Sequence, residues 1–126
     1  MDLITVSRGA GPGFEIRVRG HSVRASLAGG AEGPTPAELL AGALGACVAM
    51  AVQDRCDRRG HGGGEVRVSL AVELAGEPRR IGGIAADVEL PPGVPEDERE
   101  RIRRVAEHCV IHETLAHPPR VEIEFD

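Results

Sequence analysis

Residues 33–50, GPTPAELLAGALGACVAM, are the most apolar stretch of the chain, and they open with a helix-start signal. Thr35 stands at the N-cap position, Pro36 at the first helical position and Glu38 at the third, which together make a capping box. The pattern predicts a helix from Thr35 to about Arg59, stopped by Gly60. Phe14 and Phe125 are the only aromatic residues among 126, so the core has to be built from Val, Ile, Leu and Ala around such a helix. Gly42, Gly45 and Ala46 keep one side of it thin. Glycine inside a helix costs about 1 kcal/mol relative to alanine. Close approach of another backbone, a second helix, is the expected compensation.

Around this helix the hydrophobic residues alternate with period two. Phe14, Ile16 and Val18 alternate with Glu15, Arg17 and Arg19, and Val66, Val68, Leu70, Val72 and Leu74 with Glu65, Arg67, Ser69, Ala71 and Glu73. Ile84, Ala86, Val88 and Leu90 follow the same rule, and Val121, Ile123 and Phe125 close the chain as a last expected strand. Leu3 to Ser7 is a further strand, paired to the next through the turn at 9–13. Strands that bury one face suit an antiparallel sheet covered on one side. A second helix is expected from Pro95, with Glu96, Asp97 and Glu98 at its positive end and Arg101, Arg103 and Arg104 further along. Ile102, Val105, Ala106 and Cys109 follow helical spacing and should face inward. Loops are expected at 28–33, 61–64 and 91–95. The expected order is β-β-α-β-β-α-β, an α+β fold in one domain spanning 1–126.

Charge narrows the function classes. All 15 basic residues are arginine, so Schiff-base lysine chemistry is excluded and arginine is the one fixed cation for a thiolate or an anion. A net charge of −5, with arginines interspersed among acids, argues against nucleic acid or an anionic membrane as partner. The N-terminus has no apolar signal region, and the longest uncharged apolar run, Leu39–Val52, falls short of the roughly 20 residues of a membrane span. A cytoplasmic protein is expected, with its cysteines reduced at rest.

The three cysteines carry the chemical interest. Cys47 lies within the apolar helix and Cys109 at the end of the second, so a packed helix pair could bring them together for dithiol redox chemistry, although buried cysteines commonly do no more than fill space. Cys56 follows Cys47 by nine residues, half a turn around the helix and about 13 Å along it. Disulfide Cα atoms come within about 7 Å, so these two cannot bond within one helix, and Cys56 is expected to be a spectator. His108, Cys109, His112 and His117 suggest zinc, but no CxxC or HExxH spacing accompanies them, so neither metal nor cofactor is expected. His112 is better suited to partner a thiolate or to cap the helix end. Glu38 is an acid nine residues before Cys47 that the capping box already explains.

The stretch GPTPAELLAGALGAC, a helix ending in RRG and a second helix ending in HCVIHETL resemble the OsmC/Ohr family, the osmotically inducible protein C and organic hydroperoxide resistance proteins. The likeness runs through nearly the whole chain and includes Arg19-Gly20-His21. It implies an OsmC-like fold, with two central helices wrapped by antiparallel sheets in an intertwined homodimer. It further implies a thiol-dependent peroxidase acting on organic hydroperoxides in oxidative stress defence. Cys47 would be the attacking residue and Cys109 the resolving one, and an external dithiol, such as a lipoylated protein, would reduce the disulfide. The resemblance also implies a catalytic arginine from the N-terminal hairpin, for which Arg8 is the nearest match and Arg17, Arg19 and Arg24 are rivals. Glu38 completes the candidate site. Val110 stands where a proline commonly follows the second cysteine, and Ala37 where peroxidase members carry an acid. These two departures motivate the alternative expectation of a small-molecule-binding or thiol redox-sensing module without efficient turnover.

Overall fold

The computed structural model describes residues 3–9, 11–27, 30–61 and 63–126. Its elements are β1 (Thr5–Ser7), β2 (Phe14–Val18), β3 (His21–Ala25), α1 (Pro36–Arg58), β4 (Arg67–Ala75), β5 (Arg80–Glu89), a 3-10 turn (Glu96–Glu98), α2 (Arg99–Glu107) and α3 (Val110–Ala116). The fold class is α+β, as expected. The chain divides into two compact units, one holding the residues up to Gly42 with Val72–Gly83, the other Ala43–Ala71 with Ile84–Asp126.

In the first unit β1, β2 and β3 form an antiparallel sheet in that order. Ile16 of β2 stands between Val6 of β1 and Val23 of β3, so the period-two pattern becomes one apolar row across three strands. The strand β3 was not expected from the sequence, because His21-Ser-Val-Arg-Ala25 carries one β-branched apolar residue in five. Its hairpin with β2 turns on Arg19 and Gly20, both at positive φ (49° and 81°), a conformation that matches strand twist in two-residue hairpins. Beyond β3, Ser26 is buried, and its Oγ accepts the Gly30 N–H at 3.1 Å. Ala28 and Gly29 of the expected 28–33 loop lie outside the described residues, as do Ala10 of the 9–13 turn and Gly62 of the 61–64 loop. The capping box is formed as expected: the Thr35 N–H donates to Glu38 Oε1 at 2.8 Å, and the Glu38 N–H to Thr35 Oγ1 at 3.2 Å.

The second unit is built on the rest of α1. Leu44, Val48, Val52 and Cys56 fall on one face and pack with Ile102 of α2 and with Cys109, while Val68, Leu70, Ile84 and Val88 of the β4–β5 hairpin cover the cluster. Their connection of four residues, 76–79, is short enough only for antiparallel strands. The helix is long and apolar enough to cross a membrane by length and composition, yet this face lies in a protein core. Gly60, at φ 68°, ends α1, and the His61 N–H reaches back to the Cys56 carbonyl at 2.9 Å.

Three expectations change in detail. Gly45 makes room for the Leu70 side chain of β4 instead of a second helix: a Cβ there would lie 2.5 Å from Leu70 Cδ1. Gly42 and Ala46 are exposed. The second helix ends at Glu107, so Cys109 lies beyond it, in extended backbone (φ −70°, ψ 153°) between α2 and α3. Val121, Ile123 and Phe125 do not form a strand here. They are exposed and unassigned, since no described strand lies alongside to take their backbone hydrogen bonds.

Candidate functional site

Cys47 and Cys109 meet in the second unit. Their thiols are in hydrogen-bonding contact, and all three cysteines are free. Cys47 is half-buried on α1, whereas Cys109 is almost completely buried. The local sequence explains the second position. The His108 N–H still closes onto the carbonyls of Arg104 and Val105, and then the chain leaves the helix. Cys109 becomes the N-cap of α3, its sulfur accepting the His112 N–H at 3.4 Å.

That start to α3 sets the electrostatics. The first N–H groups of a helix have no partner inside it, and here two of them, from Val110 and Ile111, donate to Cys47. Burial alone would push the Cys47 thiol up. The Ile111 N–H, the Cys109 thiol and the Val110 N–H outweigh it and hold Cys47 below the ordinary cysteine value. Cys109 moves the other way. Burial and the neighbouring Cys47 raise it, against the His112 and Ile111 N–H groups. One thiol is therefore disposed to ionise and attack first, while the other stays protonated until a base takes its proton.

The family resemblance implied a catalytic arginine at the site of Cys47. None of the groups that lower it is an arginine; the donors are backbone amides and a thiol. Arg8 is exposed, just after β1 in the first unit. Arg17 pairs with Glu15 at 2.7 Å, and Arg24 donates to the Pro12 carbonyl at 2.6 Å. Glu38 is occupied by the cap at Thr35. Of the four candidate site residues, the structure brings Cys47 and Cys109 together, and it assigns the other two to the first unit, Glu38 at its helix cap.

Val110 and Ile111 were missed as functional residues because their contribution is made by backbone, which a side-chain motif does not display. A proline after Cys109 would have marked the helix start but would have had no N–H to give.

Cys56 is fully buried, and burial raises its thiol, helped by the charges of Asp57 and Glu98 and opposed by Arg55. Nearby, the buried Glu98 carboxylate receives Arg55 of α1 and Arg101 of α2, each at 3.3 Å, and ties the start of α2 to the end of α1. The histidines do not form a metal centre among the described residues. His108 Nδ1 lies 3.6 Å from Glu113 Oε2, and His117 Nδ1 lies 3.2 Å from the Glu113 carbonyl.

Known proteins share this architecture. The crystal structure of an OsmC-like protein from Mycoplasma pneumoniae superposes with a TM-score of 0.79 at 16% identity, covering 94% of this chain and 89% of that one. An OsmC-like protein of unknown function from Vibrio cholerae O1 biovar eltor gives 0.72 at 10% identity, covering 90% and 92%. The organic hydroperoxide resistance protein OhrB of Bacillus subtilis gives 0.57 at 16%, covering 94% and 92%. No curated protein matches the sequence. The family model described as OsmC-like protein matches residues 29–124, a span that contains both cysteines and every helix. On that match, the chain belongs to the OsmC-like family.

Proposed function

We propose that this protein is a thiol-dependent peroxidase that reduces organic hydroperoxides in oxidative stress defence. The observation that carries it is the pair of thiols in contact with opposite shifts, Cys47 down and Cys109 up. In the first step the Cys47 thiolate attacks the terminal oxygen of a hydroperoxide ROOH. The O–O bond breaks, the alkoxide leaves and takes a proton as ROH, and Cys47 becomes a sulfenic acid. Cys109 then displaces that hydroxyl as water and closes a disulfide. An external dithiol, for which a lipoylated protein is the proposed candidate, restores both thiols. No metal or cofactor takes part.

Arg8 is the proposed countercharge for the departing alkoxide. Glu38 serves by fixing the start of α1. The apolar lining around Cys47, with Ile111 and Leu44 in the same cluster, favours alkyl peroxides over hydrogen peroxide. The proposal includes one OsmC-like domain over residues 1–126, working in the reducing cytoplasm as a homodimer. The exposed Gly42, Ala46 and Met50 of α1 and the unpaired 121–125 segment are the surfaces offered to the second copy.

Steady-state consumption of tert-butyl or cumene hydroperoxide with a dithiol reductant tests this. Turnover that disappears in Cys47→Ser is the expected result. A wild-type rate equal to that of Cys47→Ser removes the peroxidase and leaves a redox-sensing or binding module, which Ala37 and Val110 favour.

A further inference from the structure

His112 carries an imidazole that the cycle above does not use. Its Nδ1 is buried and has no hydrogen-bond partner among the described residues. Buried polar atoms in folded proteins almost always have one, so an orphan of this kind calls for a role. Its position gives the role. The His112 backbone N–H donates to Cys109 Sγ, so the ring departs from the same half-turn of α3 that holds the resolving thiol. The other two histidines of this region are engaged with Glu113.

The closing step lacks a base. A thiol attacks as its thiolate, and Cys109 is buried beside Cys47, surroundings that keep it protonated. Cys47 of α1 is in contact with it, and the titratable groups close to it in the chain are Glu107 and His108, both exposed, and His112 and Glu113 of α3. Cys47 is by then oxidised, and His108 and Glu113 face each other.

We propose that the His112 imidazole accepts the Cys109 proton as that thiol closes onto oxidised Cys47, and delivers it to the leaving group. For the sulfenic acid the balance is complete: the S–H bond of Cys109 and the S–O bond of Cys47 break, the S–S bond forms, and the proton joins the departing hydroxide as water. The two-electron oxidant is the organic hydroperoxide already consumed. This role deepens the peroxidase proposal, but it can be tested without a peroxide.

In a Cys56→Ala background, 5,5′-dithiobis(2-nitrobenzoate) gives two phases of thionitrobenzoate release. The first reports attack by Cys47 on the reagent, and the second reports Cys109 displacing the mixed disulfide. His112→Gln should leave the first phase within about twofold and slow the second about tenfold or more at pH 7. The slowed phase should recover about tenfold per pH unit, as hydroxide does the work of the missing base. His112→Asn, with circular dichroism on both variants, guards against loss of fold. A second phase unchanged in rate and pH profile in a folded variant overturns the role of His112. Failure of the wild-type chain to consume hydroperoxide overturns the peroxidase proposal and leaves this measurement intact.

Discussion

The backbone N–H of Ile111 donates to the sulfur of Cys47, joining the middle of α1 to the first turn of α3. Sulfur is a weak acceptor as a thiol and a much stronger one as a thiolate, so the bond favours the charged form. The Val110 N–H and the Cys109 thiol act in the same sense.

Alkylation by iodoacetamide, followed by mass spectrometry across pH 5–10, should therefore separate the thiols. Cys47 should react with a midpoint below the roughly 8.5 of a free cysteine, and Cys109 with one above it. The sign for stability follows. Ionisation of Cys47, whose folded value is lowered, favours the fold above the unfolded value, and that gain is lost as pH falls through the folded value. Cys109, raised, favours the fold below its unfolded value and loses that contribution as pH rises through the folded one. Cys109→Ala removes a donor and should move the Cys47 midpoint up.

Val110→Pro is the sharper substitution. Proline suits the first position of a helix, so α3 should persist, while one N–H directed at Cys47 disappears. The Cys47 midpoint should rise and its alkylation rate at pH 7 should fall severalfold, with the thermal transition within a few degrees of wild type. An unchanged midpoint would show that the Val110 amide does not matter to the thiolate.

Cys56 and Cys109 should separate stability from chemistry. Cys56→Ser puts a hydroxyl into an apolar core and should cost about 1–3 kcal/mol in urea unfolding. The Cys47–Cys109 disulfide should still form after one equivalent of hydroperoxide. Cys109→Ser should instead leave a sulfenic acid on Cys47, trapped by dimedone. A bridge to Cys56 in non-reducing mass spectra would refute the site assignment.

Assembly can be tested on the exposed face of α1. Light scattering at micromolar concentration should give twice the 13.3 kDa chain mass. Met50→Arg, on a side chain left exposed by its own chain, should lower that mass towards the monomer. A folded wild-type monomer would rule out the homodimer.

The start and end of α1 were legible because their signals are local. Thr35, Pro36 and Glu38 act within one turn, and Gly60 fixes the stop by its own φ. The break between α2 and α3 was not legible, because Ile102, Val105, Ala106 and Cys109 keep helical spacing across it. Nothing at Val110 marks a new start, and the cap is a cysteine sulfur, a weak substitute for the usual oxygen. The alternation at 121–125 was read correctly as a pattern, but a strand also needs a neighbour, which no local signal supplies. The pairing of the two cysteines was suggested by their helices. The source of activation was not, since amides carry no side-chain signature.

Cys47 and its amide donors lie more than 60 positions apart in the chain. The donors take up their positions only once α3 has formed and packed against α1. A chain still emerging from the ribosome, or one whose second unit has unfolded, therefore carries cysteines of ordinary reactivity that react slowly near neutral pH. Nucleophilicity is acquired with the fold and given up with it, so the thiol's reactivity is itself a gauge of how many chains in a population are intact.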